Sequence, residues 1–240
     1  MKIRVILPSS PQTDEIENTL AVYQELARVD SIVSVVALNK SVPAEADPTD
    51  PYVIPAILRK IQEAEGEGMD AIIIDCMDDP GLEPGRQLVD IPVIGPAQTS
   101  FHVAAMLGYK FSVLYPLDNP YYIEKLVESY GLMHRLASVR ILDASLETLA
   151  TDKVTSINSL VKSALDAVKE DGAHVIVPGC TFTTGMAGEV QARLEKNGFP
   201  VPVIDPGLVA IRMAETLVDL GIYASRLTYP RPLGITEPYW

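Results

Sequence analysis

Only two cysteines occur in the 240 residues, and each closes an apolar run. The first run is Met69-Asp70-Ala71-Ile72-Ile73-Ile74-Asp75-Cys76. The second is Ala173-His174-Val175-Ile176-Val177-Pro178-Gly179-Cys180. Each follows a helix-compatible segment ending in glycine, Gly68 or Gly172, and each cysteine lies eight residues beyond its glycine. A lone cysteine at the end of a buried strand is as readily a small core residue as a reactive one. Two cysteines at matching points of a repeat favour chemistry. A thiol has an ordinary pKa of about 8.5, close enough to working pH to serve as acid or base. Two thiols on opposite sides of a planar intermediate can take a proton from one face of a carbon acid and return one to the other. The N-terminus of a following helix favours the thiolate, whereas Asp75, Asp78 and Asp79 oppose it around Cys76. Cys180, between Gly179 and Thr181, is therefore expected to be the easier thiolate. A disulfide between the two would consume the groups such a site needs.

Hydroxyls cluster at comparable strand ends. Ser9 and Ser10 follow the first strand. Thr181, Thr183 and Thr184 follow Cys180, and Thr99 and Ser100 follow the strand around Val93, with Gln98 a weaker companion. Each set fits either a helix cap or donors for a substrate carboxylate, imide oxygen or enolate. Asp78-Asp79 reads as a cap and turn, and Arg86 as an ion-pair partner. His102 lies on an alanine-rich helix, and His134 and His174 read as peripheral. No His, Cys and Asp set has metal-site spacing. Gly81-Leu82-Glu83-Pro84-Gly85-Arg86 lacks the Gly-Lys-Ser/Thr ending of a phosphate loop.

The elements that must carry these residues alternate between strand and helix patterns. Ile3–Leu7 reads as a buried strand. Ile16, Leu20, Tyr23 and Ala27 share a helical face, with Thr13 or Asp14 as cap. Ile32–Ala37 is a second strand, followed by a polar loop from Asn39 to Asp50. Pro51 is placed to open a helix bearing Ile54, Ile57, Ile61 and Ala64. After the first cysteine run come a strand at Ile91–Pro96 and a helix over Ala97–Leu107. The second half runs in the same order. Phe111–Pro116 is a strand, Ile123, Leu126, Val127 and Tyr130 mark a helix, and Val139–Leu142 is a short strand. A strong amphipathic helix covers Ile157–Val168. Beyond Cys180, a helix carries Val190 and Leu194, Val201–Pro206 is a strand, and Leu208–Leu220 is a helix.

The halves resemble each other. Pro8 aligns with Pro116 at an offset of 108, Cys76 with Cys180 at 104, and Pro92 with Pro202 at 110. The phrases Ile91-Pro92-Val93-Ile94-Gly95-Pro96 and Val201-Pro202-Val203-Ile204-Asp205-Pro206 coincide. A duplicated α/β unit with parallel sheets follows. Such sheets bind ligands beyond the C-terminal ends of their strands, where both cysteines fall. If the halves face each other about a pseudo-twofold axis, the thiols flank one cleft.

Composition narrows the partners. A 48% apolar chain of this length suits one large α/β unit or two domains. A net charge of −13 argues against nucleic acid and against anionic membrane surfaces. No apolar stretch is long enough to span a membrane, and Met1-Lys2 leads straight into a strand without a signal-peptide pattern. With two cysteines and no need of a disulfide, a cytoplasmic location is expected. Apolar outer helix faces suggest a homo-oligomer.

The ordered set of phrases resembles the aspartate/glutamate/hydantoin racemase superfamily, in its hydantoin/allantoin racemase branch. It comprises Asp70–Cys76 with Asp79-Pro80-Gly81, Ile91–Gly95 before a small-residue helix, and Gly108–Val113. Pro178-Gly179-Cys180-Thr181, Pro202–Asp205 and Leu217–Ser225 complete it, so the likeness covers nearly the whole chain. Met77-Asp78 after Cys76 departs from the Cys-Asn-Thr of glutamate and aspartate racemases. Pro8-Ser9-Ser10, Tyr115-Pro116 and Thr181–Met186 also depart from the branch. The resemblance implies two pseudo-symmetric flavodoxin-like lobes, each a parallel sheet flanked by helices, with the active site between them. The lobes are expected to be 1–96 plus 207–240, and 97–206. It also implies cofactor-independent racemisation, with Cys76 and Cys180 as the acid/base pair. The substrate class is a small molecule: a hydantoin, an amino-acid derivative or a dicarboxylate. Rival readings are a maleate-type isomerase or malonate decarboxylase on the same scaffold, or a non-catalytic small-molecule binding protein.

Overall fold

The structure, a computed structural model, describes residues 1–11, 13–39 and 47–232. Two compact units are present: Met1–Gly95 together with the chain from Ala210 onward, and Pro96–Val209. The fold is α/β, with a parallel sheet flanked by helices in each unit, as the alternating pattern predicts.

In the first unit the sheet order is β2-β1-β3-β4, formed by β1 (Lys2–Leu7), β2 (Ile32–Ala37), β3 (Ala71–Ile74) and β4 (Val93–Ile94). Ile3, Val5, Ile6, Ile72, Ile73 and Ile74 are all fully buried. Neighbouring side chains of a strand point to opposite faces, so both faces of this sheet are covered. The helices are α1 (Thr13–Leu26), α2 (Ile54–Gly66) and α3 (Leu82–Leu88). Ile57, Ile61 and Ala64 of α2 and Leu82 of α3 pack with Ile6, Ile72, Ile74 and Val93.

The second unit has the sheet β6-β5-β7: β5 (Phe111–Tyr115), β6 (Leu136–Ile141) and β7 (Val175–Pro178). Its helices are α4 (Pro96–Leu107), α5 (Pro120–Ser129), α6 (Leu146–Thr151), α7 (Lys153–Glu170) and α8 (Ala187–Lys196). The last helix, α9 (Pro206–Leu220), starts in this unit and continues into the first. In α9 the buried Glu215 accepts from the Arg28 backbone N–H at 2.7 Å and the Ser31 hydroxyl at 2.7 Å.

The internal repeat is written in backbone hydrogen bonds. Asp70 N–H donates to Lys2 O at 2.8 Å, and His174 N–H to Lys110 O at 2.9 Å. Ile72 N–H donates to Pro92 O at 2.9 Å, and Ile176 N–H to Pro202 O at 3.0 Å. Acidic residues at the C-caps of α2 and α7 occupy equivalent places too. Glu67 takes Arg4 of β1, which also donates to Ser34 of β2. Asp171 takes Arg140 of β6 and the Ser138 hydroxyl, which meets Ser112 of β5 at 2.8 Å. Arginine stands on the inner strand in one unit and on the outer strand in the other.

Several expectations need correction. Pro51 does not open a helix. Tyr52 N–H donates to the Asp50 carboxylate and Val53 N–H to its carbonyl, so a turn precedes α2, and Pro55 takes its first turn. Leu20 is 37% exposed, while Tyr23 and Ala27 on the expected face are buried. The strand expected at Val139–Leu142 begins earlier, at Leu136, and ends at Ile141. Helices α3 and α6 were not foreseen. The former holds Pro84 in its first turn, where a missing N–H does no harm. A Cβ on Gly85 would lie 2.7 Å from Ile61 Cδ1, so any larger residue there would force Ile61 to shift. The Ser145 side chain caps α6. The strand expected at Val201–Pro206 reduces to a single bridge, Val203 to Ile176. Pro202 has no N–H to give, and the Val203 N–H donates to the Gln191 side chain at 3.2 Å. The expected loop over Asn39–Asp50 lies partly outside the described residues.

Candidate active site

In the first unit, β1 and β3 are adjacent and parallel, with Ile6 opposite Ile74. Ser9 and Ser10 therefore leave the same sheet edge as Cys76. Both serines are half-buried, and Ser9 O accepts from Leu38 N–H at 2.8 Å. Past β3 the chain is held at each step. Asp75 N–H donates to Ile6 O at 2.8 Å and Cys76 N–H to Ile74 O at 2.8 Å. The Tyr23 hydroxyl donates to the Asp75 carboxylate at 2.8 Å. Cys76 is half-buried, with its Sγ 3.8 Å from an Asp78 carboxylate oxygen, to which the thiol donates. Asp79 N–H then donates to Cys76 O, and Leu82 N–H to Asp79 O, both at 3.2 Å.

Asp79 is buried and has φ +46°, a left-handed conformation that costs a residue with a Cβ about 1 kcal/mol. It delivers the carboxyl group against Gly95 at the end of β4. A Cβ on Gly95 would sit 2.4 Å from Asp79 Cγ and 2.6 Å from each carboxyl oxygen. Asp78-Asp79 is thus a turn, as expected, and Gly81 stands at the N-cap of α3.

The second unit repeats this path. Gly179 N–H donates to Leu114 O at 2.7 Å, Thr183 N–H to Cys180 O at 3.2 Å, and Met186 N–H to Thr183 O at 3.0 Å. Gly81 and Gly185 take the same left-handed turn, at φ +76° and +81°. The loops from Cys76 to Leu82 and from Cys180 to Met186 are equal in length. Cys180 is half-buried and extended, and Thr181 beside it is half-buried. Thr183 is fully buried, with its hydroxyl donating to Cys180 O at 2.6 Å, so that group supports the loop from within. The Thr184 Oγ1 is buried without a hydrogen-bond partner among the described residues and lies against Gly207, where a Cβ would meet it at 2.6 Å.

Thr99 and Ser100 sit near the start of α4, 9% and 0% exposed. The Ser100 Oγ has no hydrogen-bond partner among the described residues. His102 is exposed and binds Gln98 O through Nδ1, and His134 and His174 are exposed. Arg86 donates to the Val93 carbonyl and packs on the Tyr229 ring, a role beyond the ion pairing expected of it.

Asp205, at the position equivalent to Gly95, was not singled out from the sequence. Its carboxylate accepts from Gly185 N–H at 2.7 Å and Leu208 N–H at 3.1 Å. It thereby ties the turn after Cys180 to the first turn of α9. Burial pushes this carboxyl above its ordinary value, against the pull of N–H donors from Leu208, Gly185, Ala187 and Gly207. The signal lay in the paired phrases, where Gly95 and Asp205 are the one column that changes character.

No helix among the described residues is long and apolar enough to cross a membrane. The family model described as Asp/Glu/Hydantoin racemase matches residues 13–214. A hydantoin racemase from Pseudomonas sp. (strain NS671) is 36% identical over 237 residues, covering 97% of this chain and 92% of that protein. A hydantoin racemase from Paenarthrobacter aurescens is 31% identical, covering 97% and 98%. Among solved structures, the allantoin racemase from Klebsiella pneumoniae superposes with a TM-score of 0.87 at 26% identity, covering 98% of this chain and 95% of that one.

Proposed function

The chain belongs to the Asp/Glu/hydantoin racemase family and is a racemase; from that premise we propose that it inverts the α carbon of a five-membered hydantoin-type ring without a cofactor. Cys76 and Cys180 are the two proton-transfer groups. The ring carbonyl beside the reacting carbon turns the carbanion into an enolate, which brings the α proton within reach of a thiolate. The Cys180 thiolate takes that proton and becomes a thiol. The Cys76 thiol gives its proton to the opposite face and becomes a thiolate. Reaction of the product enantiomer in reverse, or proton exchange with water, restores the starting pair.

One observation carries this reading. The two thiols stand at equivalent points of a repeated loop, each supported by the same backbone bonds beyond a buried strand. A core cysteine has no reason to recur there, half-exposed, on both occasions. The Asp78 contact supports a protonated Cys76 as the acid. Ser9, Ser10, Thr99, Ser100, Thr181 and Thr184 are the hydroxyls proposed to hold ring oxygens, and Thr183 supports Cys180 from behind. The relatives named hydantoin racemase support a hydantoin as the substrate class, and the protein is proposed to work in the cytoplasm as a homo-oligomer.

The experiment is proton exchange in deuterium oxide, followed by NMR, on single enantiomers of 5-substituted hydantoins, allantoin, amino acids and dicarboxylates. Deuterium should enter the α position of both enantiomers of a hydantoin. Full turnover in either Cys→Ser variant would reject the two-thiol scheme.

A further inference from the structure

We infer that Asp79 and Asp205 are the positioning residues of the two cysteine loops, each filling the matching gap of its own unit, one from the loop and the other from the strand end. The inference deepens the proposed function, resting on it only for the expected effect on turnover.

The geometry of the two gaps is reciprocal. In the first unit the carboxylate belongs to the loop and the strand end is glycine. Asp79 takes φ +46° to put its carboxyl group where a Gly95 Cβ would be. In the second unit the strand end supplies the carboxylate and the loop residue is Thr183. Asp205 reaches from the strand end to Gly185, the counterpart of Gly81. Thr183, in the place of Asp79, turns its hydroxyl to Cys180 O instead. The Asp79 N–H itself donates to the Cys76 carbonyl, and the Asp205 carboxylate accepts from the N–H of Gly185, near the end of the Cys180 loop. With both carboxylates the gap would be overfilled and doubly charged. With neither, the loop would lose its tie to the strand end, and a displacement of about 1 Å at a reacting group costs on the order of 100-fold in rate.

The test uses the intact protein and two readouts. The first is iodoacetamide alkylation of each thiol across pH, resolved by mass spectrometry, which needs no substrate. Asp205→Asn should alter the rate and pH profile of Cys180 alkylation while leaving Cys76 unchanged, and Asp79→Asn should do the reverse. The second is racemisation of a 5-substituted hydantoin, where Asp205→Asn should lower kcat by about 10- to 100-fold with KM little changed. A general structural role would move both thiols together. If a single variant fails to fold, the exchange of roles decides. Asp79→Thr and Gly95→Asp should each impair the protein, and the double variant, which copies the second unit's arrangement, should recover most of the loss. A double variant no better than its worse parent would overturn the inference, as would unchanged Cys180 alkylation in Asp205→Asn. Alkylation responses as expected, with no racemisation of any hydantoin by the unaltered protein, would sink the proposed function and leave this inference standing.

Discussion

The loop after β3 carries Asp75, Asp78 and Asp79 around its cysteine. The loop after β7 carries Gly179, Phe182 and Thr183 at the same three places. Their backbones share three hydrogen bonds at matching places: from Asp75 and Gly179, from Asp79 and Thr183, and from Leu82 and Met186. The duplicated scaffold sets where each thiol stands, and side chains alone make the two thiols unlike. Negative charge beside a thiol favours its protonated form, and the Asp78 carboxylate lies 3.8 Å from Cys76 Sγ, which is why Cys76 is proposed as the acid. The equivalent positions around Cys180 carry no charged side chain, which is why Cys180 is proposed as the base. A two-sided reaction needs this inequality at rest: two thiolates would have no proton to give, and two thiols no base.

The comparison can be broken most severely at the thiols themselves. Cys76→Ser and Cys180→Ser should each lower racemisation by about 100- to 10,000-fold. Cys76→Ser, which keeps the stronger base, should still exchange the α proton of one enantiomer with solvent, without inversion. Chiral chromatography with NMR in deuterium oxide separates these outcomes, and exchange in both enantiomers would contradict the assignment. Next in size is the inequality at rest. Cys180 should be alkylated faster than Cys76 at neutral pH, because the thiolate is the reactive form. Asp78→Asn should narrow the gap, and faster alkylation at Cys76 in the unaltered protein would reverse the roles.

The other traded pair, at the ends of α2 and α7, gives a smaller effect. Asp171→Asn should lower unfolding stability in urea by about 1–3 kcal/mol, because its carboxylate takes charge-assisted bonds from Arg140 and one from Ser138. Glu67→Gln should cost less than about 1 kcal/mol, since Glu67 is 54% exposed beside Arg4. The Arg140 guanidinium holds the Asp171 carboxyl below its ordinary range. Its stabilisation is therefore present above about pH 4, the unfolded value, and fades as pH falls through the folded one. Asp205 has the opposite sign and the smallest effect. Its carboxyl is raised in the folded chain, so its contribution is full below about pH 4 and is lost as pH rises through the folded value. Stability curves of Asp171→Asn and Asp205→Asn against the unaltered protein should thus diverge in opposite directions on acidification. Parallel curves would show that the two carboxylates are not placed as described.

Much of this was legible in the residues. Ile72–Ile74 and Val175–Val177 read as strands because β-branched runs flanked by glycine fit little else. The near-constant offset between halves exposed the repeat, and with it the matching cysteines. What stayed hidden depended on neighbours distant in sequence. Pro84 and Gly85 argue against a helix until the pressure of Ile61 on Gly85 is known. Val201–Pro206 reads as a strand until Gln191 takes the Val203 N–H. Gly95 opposite Asp205 was visible as a mismatch. It acquires meaning only once Asp79 is found filling the space beside Gly95. Ser9, Ser10 and Thr181 were recognisable as hydroxyls near a thiol, whereas the inward turn of Thr183 was not.

Glu215 carries a consequence for how the chain is made. The first unit draws on Ala210, Ile211, Ala214 and Glu215 for its core and for the bonds to Arg28 and Ser31. During translation, at roughly 5–20 residues per second, those partners leave the ribosome only after all of Pro96–Val209 has been synthesised. Until then the Arg28 N–H and the Ser31 hydroxyl, between α1 and β2, lack the Glu215 carboxylate, while the later unit already has every residue it needs. The half translated first is therefore the half completed last.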